Sequence, residues 1–127
     1  MQKRVGLLYL ALSTRRIFLI LENEKWTVPT FAVNKSVIED SVDIQEKFAK
    51  GRILPVELYL SKDKGFEYGT FICLIKEEFL TVNAATICWS DIDYLPKNVH
   101  TGLRSTLTNN LIRTKIETVL ELENDRA

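Results

Sequence analysis

Three apolar runs constrain most strongly what this chain can fold into. Residues 5–13 and 17–21 are dense in Leu, Ile, Tyr and Phe, and the polar residues 13–16 lie between them. This pattern predicts two strands joined by a tight turn. Residues 69–75 form a further, nearly uninterrupted apolar run, which is typical of a central strand buried on both faces. The sequence therefore predicts a sheet with a buried centre.

A polar helix is predicted over residues 36–50. Ser36 and Glu39 have the spacing of a capping box, in which the two residues satisfy each other's backbone amides, and Gly51 supplies the stop. At about 100° per residue, the apolar side chains share one broad arc: Val37, Ile38, Val42, Ile44, Phe48 and Ala49. The opposite stripe consists of Glu39, Asp43, Glu46 and Lys50. We expect this helix to be amphipathic and to lie on the surface.

Further strand and helix patterns follow in the second half of the chain. Residues 55–60 alternate between apolar and polar side chains, and residues 86–90 have the composition of a short strand. Leucines recur every four residues over 103–111, which predicts a C-terminal helix with a break at the two Asn residues 109–110. No internal repeat or linker interrupts the sequence, so we expect a single α+β domain over residues 1–127 with a mixed sheet.

Composition and charge limit the classes of function. The 127 residues include 17 Lys plus Arg and 17 Asp plus Glu, so no net field favours a nucleic acid partner. No apolar run reaches the roughly 18 residues that a membrane span needs, and the N-terminus has no secretion cleavage pattern. Cys73 and Cys88 each lie inside an apolar run, as expected for reduced, buried thiols. We therefore expect a cytoplasmic protein with neither nucleic acid nor a membrane as its partner.

The order and spacing of short motifs across the chain resemble the Nudix hydrolase family. A Gly-containing first strand at residues 5–8 and an apolar second strand precede Trp26 and Pro29, which lie directly before the predicted signature loop and helix. Trp89 and the motif at residues 100–103, His-x-Gly-Leu, follow in the order of a common Nudix subgroup. The resemblance implies a Nudix-like α/β/α sandwich with a mixed β-sheet, and a pocket for a diphosphate-linked ligand.

The sequence departs from the family at the residues that would perform catalysis. In the family, paired glycines precede a helix that carries an Arg-Glu pair and then two adjacent glutamates, which hold magnesium. The metal neutralises phosphate charge and lowers the pKa of the attacking water. Here the glycines correspond to Thr30 and Phe31, the Arg-Glu pair to Gln-Glu at residues 45–46, and the adjacent glutamates to Ala-Lys at residues 49–50. Glu46 is thus the candidate catalytic carboxylate that remains.

This alignment also selects candidate metal ligands and ligand-binding residues. Glu39, Asp43 and Glu46 share a predicted helix face, which is typical of a solvated helix surface, and they could alternatively form a divergent metal site. Without a metal, cations of the protein would hold a diphosphate, and Lys50 could take the metal's place. The candidate ligand-binding residues are Arg4, Trp26, Thr30, Phe31, Lys50 and Arg52. His100, the single histidine, is expected to form a backbone hydrogen bond in a loop.

Three functions are open from the sequence. The first is binding of a nucleotide or nucleoside-diphosphate-linked small molecule, with little or no hydrolysis and no cofactor, in a pocket between the signature helix and the sheet. The second is an atypical pyrophosphohydrolase of the Nudix type that depends on Mg²⁺. The third is a protein-interaction module with a filled pocket, such as a homodimer. The replacements at residues 49–50 discriminate between the first two, and the third depends on whether Phe31 closes the pocket or lines it.

Overall fold

The computed structural model of this protein describes residues 2–55, 57–81 and 86–126. Its strands are β1 (Gln2–Ala11), β2 (Ile17–Glu22), β3 (Lys25–Thr27), β4 (Thr30–Ala32), β5 (Arg52–Ile53), β6 (Tyr59–Asp63), β7 (Phe66–Ile75) and β8 (Ile87–Ser90). Its helices are α1 (Val37–Asp40), α2 (Val42–Lys47), α3 (Thr101–Thr108) and α4 (Asn110–Arg126). None of the helices within these ranges is both long and apolar enough to cross a membrane. The strands predicted from the apolar runs are confirmed, as is the break between two C-terminal helices.

The eight strands form one mixed sheet. Along its main path the order is β3-β2-β1-β7-β5, while β4 pairs with β1, β6 with β7 and β8 with β2. The parallel pair consists of β1 and β7, which run side by side from Gln2 opposite Phe66 to Ala11 opposite Ile75. Every other strand pairing in the described ranges is antiparallel. This arrangement confirms the predicted mixed sheet.

Two apolar cores lie on opposite faces of the sheet, because successive side chains of a strand alternate between its faces. On β1, Leu8 and Leu10 face a core that α3 and α4 complete. Leu7 and Tyr9, on the other face of the same strand, pack into a core that α1 and α2 cover. All four side chains are fully buried. Helices therefore cover both faces of the sheet, which confirms the predicted α/β/α sandwich.

The prediction of one helix over residues 36–50 is wrong. Its start is right, because the backbone amide of Glu39 donates to the Ser36 hydroxyl at 3.1 Å and so caps α1. The helix is then interrupted at Ser41, and α2 ends at Lys47. The stretch is two short helices rather than one long one.

The side chain of Ser41 accounts for the interruption. Ser41 is fully buried, and its hydroxyl donates to the carbonyl of Ile38 and accepts from the Gln45 amide nitrogen, each at 2.9 Å. A serine that bonds to nearby backbone in this way competes with the hydrogen bonds of a continuous helix. Because α2 ends early, Glu46 and Lys50 do not share the helical face that was expected of them.

Candidate functional site: a cleft lined by aromatic and hydroxyl groups

An open cleft of about 360 Å³ lies between the β6–β7 hairpin and the start of α3. Three aromatic side chains line it: Tyr59, Phe66 and Tyr68. Hydroxyl groups of Ser and Thr residues from five separate elements complete much of the remaining wall, and His100 lies at the α3 end. No Asp, Glu, Lys or Arg belongs to the described lining. The polar groups of the described lining are thus uncharged, and aromatic rings supply much of its apolar surface.

The register of the sheet brings these side chains together. Phe66, Tyr68 and Thr70 occupy alternate positions of β7 and therefore share one face. Tyr59 of β6 is opposite Thr70, and Gly6 of β1 is opposite Thr70 on the other side. Because Gly6 has no side chain, the ring of Tyr68 can lie against the backbone of β1. This alternation of aromatic and hydroxyl residues was the sequence signal that could have identified the cleft in advance.

The phenol of Tyr68 is a neutral group at physiological pH. Tyr68 is half-buried, and burial raises the pKa of its phenol above the ordinary value, while a hydrogen bond with Thr70 acts in the opposite direction. Thr70 itself is 2% exposed. The pair therefore presents a fixed hydroxyl that can donate or accept a hydrogen bond without adding charge.

Arg4 brings a positive charge to the rim of the cleft. It lies on β1 opposite Tyr68 of β7, and its Nη2 donates to the Thr30 hydroxyl at 2.9 Å. Thr30 in turn belongs to the cleft wall. Of the candidate ligand-binding residues, Arg4 and Thr30 are thus the two that the structure places together at this cleft.

His100 has the role expected of a loop histidine, and Trp26 supports it. The Nδ1 of His100 accepts from the Gly102 amide at 3.1 Å and so caps α3. The His100 amide donates to the carbonyl of Trp26 at 2.8 Å, and the Trp26 amide donates to the carbonyl of Asn98 at 2.7 Å. The indole of Trp26 packs against the core beneath α3 and α4 and is not part of the cleft lining. Trp26 therefore positions the loop that ends in His100.

Phe31 lies on the other face of the sheet. It is 8% exposed and packs in the core beneath α1 and α2, which also contains a group of edge-to-face and tilted rings from Tyr9, Phe18, Phe48 and Phe79. The ring of Phe31 therefore occupies the apolar part of the space between the predicted signature helix and the sheet. Phe31 also lines an open groove of about 460 Å³ beside α1 and α2, together with Glu39 and Asp43.

Lys50 and Arg52 lie at the opposite end of the sheet from Arg4. Arg52 is opposite Leu74 of β7, whereas Arg4 is opposite Tyr68, and a separation of six strand residues corresponds to roughly 20 Å. The guanidinium of Arg52 forms an ion pair with Glu123 of α4. One diphosphate cannot contact Arg4 and these two cations at the same time.

The carboxylates on α1 and α2 do not fit the magnesium site that the resemblance implies. Glu39, Asp43 and Glu46 are all exposed, and the interruption at Ser41 places Glu39 on a different helix from the other two. Across the described residues, no group of three or more Asp, Glu, His or Cys side chains is placed to hold a metal ion. Magnesium needs oxygen ligands in a nearly ideal octahedral geometry, which these side chains do not converge to provide.

The carboxylate of Asp40, which is near these residues in the sequence, accepts hydrogen bonds from the backbone. It accepts from the amides of Asn34 at 2.5 Å and Lys35 at 2.9 Å. These two hydrogen bonds lower the pKa of Asp40 below its usual value, and the one from the Lys35 amide has the larger effect. This carboxylate therefore fixes the loop before α1.

Solved structures with the same architecture are found, although the chain matches no protein-family model and no curated protein by sequence. A Nudix hydrolase from M. smegmatis superposes with a TM-score of 0.67 at 16% identity, over 93% of this chain and 86% of that one. An ADP-ribose pyrophosphatase from Streptococcus suis gives 0.63 at 15% identity, over 93% and 91%. The C-terminal domain of mouse MUTYH, solved in complex with human PCNA, gives 0.55 at 10% identity, over 84% of each chain. The chain therefore has the fold of the Nudix hydrolases, as the order of its sequence motifs predicted.

Proposed function

We propose that this Nudix-fold protein is cytoplasmic and binds a nucleotide or nucleoside-diphosphate-linked small molecule in the cleft beside α3, with little or no hydrolysis. The observation that carries the proposal is the lining of that cleft, which combines Tyr59, Phe66 and Tyr68 with Ser and Thr hydroxyls and has Arg4 at its rim. Two free cysteines, Cys73 and Cys88, agree with a reducing compartment.

The lining suits a ligand with a planar ring and a sugar. Tyr59 and Phe66 keep 38% and 39% of their surface exposed, so their rings are accessible for stacking, which commonly contributes about 1–3 kcal/mol per base. Hydroxyl groups of the wall can donate to and accept from ring nitrogens and sugar oxygens. A few placed polar groups among apolar rings are the usual composition of a small-molecule site.

Weak or absent hydrolysis is proposed from the arrangement of the carboxylates. Hydrolysis of a diphosphate with magnesium uses the metal to polarise the phosphoryl group and to generate the nucleophile. The candidate ligands Glu39, Asp43 and Glu46 are exposed and are distributed over two helices. The segment that replaces the family's adjacent glutamates, residues 49–50, lies beyond the end of α2.

A thermal-shift screen tests the binding proposal. Nucleotides, dinucleoside polyphosphates and nucleotide sugars would be added with and without magnesium, because a ligand that binds the native state raises the melting temperature by mass action. We expect a shift that magnesium does not increase and that Tyr68→Ala removes. Tyr94→Ala is the matched control, since Tyr94 is 83% exposed and lies outside the cleft lining. Shifts that require magnesium would favour the metal-dependent pyrophosphohydrolase instead.

A second candidate function, a protein-interaction module, is favoured by the position of Phe31. Phe31 is buried in the core beneath α1 and α2, so most of its ring is withdrawn from a ligand on that side, and one solved structure of this fold is a domain in complex with another protein. A second copy of this chain is the simplest partner. Light scattering during size-exclusion chromatography would give twice the 14.6 kDa chain mass for a homodimer, and the chain mass alone would argue against it.

A further inference from the structure

We infer that the cleft recognises the nucleoside and one phosphate of its ligand, so that a nucleoside monophosphate makes all the contacts that the cleft offers and a second phosphate adds little. This inference rests on the proposed function, because it specifies the ligand of the same cleft. It departs from the sequence-based expectation that several cations would hold a diphosphate.

The lining of the cleft carries no Asp, Glu, Lys or Arg side chain among the described residues. It consists of rings, hydroxyls, His100 and the start of α3. A buried charge without a partner is costly, so the interior favours the uncharged part of a ligand. A nucleobase and its ribose meet that requirement, and a diphosphate does not.

Several cations near the cleft are already paired with other groups of the protein. Arg4 reaches the cleft wall through Thr30, but Lys3, its neighbour on β1, is held on the other face between Glu57 at 2.5 Å and Glu67 at 3.1 Å. Lys62 of β6 lies 3.5 Å from Glu67 as well.

On the α3 side, Arg104 is also engaged, because its guanidinium donates to the carbonyl of Pro96 at 2.5 Å. The amide of Gly102 at the start of α3 is capped by the His100 ring, which removes a backbone donor that a second phosphate could use. Arg4 is therefore the cation that the structure links to the cleft wall by a hydrogen bond, and one arginine fork matches one phosphate.

The size of the cleft agrees with a ligand of this class. Its volume of about 360 Å³ lies near the lower end of the roughly 300–1,000 Å³ that is usual for small-molecule sites. A nucleoside fits a space of this order, and the two halves of a dinucleotide would not both be enclosed. The phosphate of a nucleoside in the cleft would extend toward the Arg4 rim.

Calorimetric titration of the wild-type chain tests the inference with defined probes. AMP, GMP, CMP and UMP are titrated first, followed by the nucleoside and the nucleoside diphosphate of the preferred base, and by pyrophosphate alone. We expect the dissociation constants of the monophosphate and the diphosphate to agree within about threefold, since a second, solvent-exposed phosphate adds little binding free energy. The nucleoside should bind about tenfold more weakly, as for the loss of one charge-assisted hydrogen bond, and pyrophosphate should not bind.

Two variants assign the phosphate contact. Arg4→Gln should lower the affinity for the monophosphate to that of the nucleoside and leave the affinity for the nucleoside unchanged. Lys115→Gln removes a positive charge from an exposed position of α4 and should change neither value. A Lys50→Gln or Arg52→Gln variant that weakens the diphosphate selectively would overturn the inference.

The outcomes separate the inference from the proposed function. A diphosphate or ADP-ribose that binds at least about tenfold more tightly than the monophosphate overturns the inference and leaves nucleotide binding in place. Absence of binding by every nucleoside and nucleotide overturns the proposed function, and the inference with it. Equal binding of monophosphate and diphosphate supports both.

Discussion

The ring of Tyr68 occupies the space that a side chain on Gly6 would need: a Cβ atom at Gly6 would lie 2.3 Å from the Tyr68 hydroxyl oxygen and 2.8 Å from a methyl group of Val28. Val28 is 1% exposed, so it cannot easily move away. The close approach of Tyr68 to β1 therefore depends on glycine at position 6, and this approach forms the β1 side of the cleft.

Gly6→Ala should impair both stability and ligand binding. The added methyl group must displace the phenol of Tyr68 or the side chain of Val28, and overpacking of this kind typically costs about 1–3 kcal/mol. Urea unfolding measures the stability, and calorimetry measures the affinity of the folded variant. Unchanged affinity would show that the ring of Tyr68 does not shape the ligand site.

Tyr9→Phe should destabilise the protein without altering the cleft. The phenol of Tyr9 donates to the carbonyl of Ala49 at 2.7 Å and so attaches the segment after α2 to β1. Its loss leaves a partly buried carbonyl without this donor, at a cost of about 1–2 kcal/mol in the free energy of unfolding. Tyr94→Phe, at a position 83% exposed, is the control and should change the stability by little. Equal effects of the two variants would contradict this role of Tyr9.

Substitution of Phe31 should affect mainly stability, and substitution of Phe66 should affect mainly ligand binding. Phe31→Ala removes a ring from the core beneath α1 and α2 and should cost about 3–5 kcal/mol, while the folded fraction binds ligand normally. Phe66 lines the cleft and is 39% exposed. Phe66→Ala should cost less than about 1 kcal/mol of stability and weaken binding about tenfold, as for the loss of one stacking ring. If Phe31→Ala changes ligand preference in the folded fraction, Phe31 belongs to the ligand site after all.

Stability should fall in alkaline solution because of Cys73. Cys73 is fully buried, and burial raises the pKa of its thiol from 9.0 to about 12. The folded state thus retains a proton that the unfolded state releases, so the stabilisation is complete below pH 9 and is lost as the pH rises toward 12. Between pH 8 and pH 10 the free energy of unfolding of the wild type should fall by about 1.4 kcal/mol more than that of Cys73→Ala.

Urea unfolding at several pH values measures this difference. The comparison is best made up to pH 10, because burial also raises the pKa of Tyr9 above its ordinary value of 10.0, which adds a further decrease at higher pH in both proteins. Parallel pH profiles of the wild type and Cys73→Ala would contradict the assignment to Cys73.

Long, regular patterns were sufficient to predict most of the sheet and the C-terminal helices. β1, β2 and β7 are dense apolar runs, and their burial follows directly from composition. The short strands β3, β4 and β5 have only two or three residues each, which is too few for a periodic signal. The break at Ser41 was not predictable from the apolar arc, because it depends on the burial of the Ser41 hydroxyl and on its two local hydrogen bonds, to the Ile38 carbonyl and from the Gln45 side chain.

The site was harder to predict than the fold, because its residues come from distant segments. Thr30 was selected from the family alignment, yet its neighbours Tyr59, Tyr68 and His100 come together only through strand register and the position of α3. Lys50 was predicted to bind the ligand because it shared a charged face of the helix predicted over residues 36–50. This role depended on a continuous helix. That helix ends at Lys47, and the ligand-binding role of Lys50 stays a prediction.

Phosphorus NMR of the wild-type chain with a nucleoside diphosphate and excess magnesium tests the central claim most directly, because one sample reports binding and hydrolysis together. Binding without catalysis predicts broadened or shifted nucleotide signals that saturate with protein and persist without product over a day. The Tyr68→Ala sample should show neither change. Steady appearance of nucleoside monophosphate and phosphate signals that Glu46→Gln abolishes would contradict the account and identify the chain as a hydrolase.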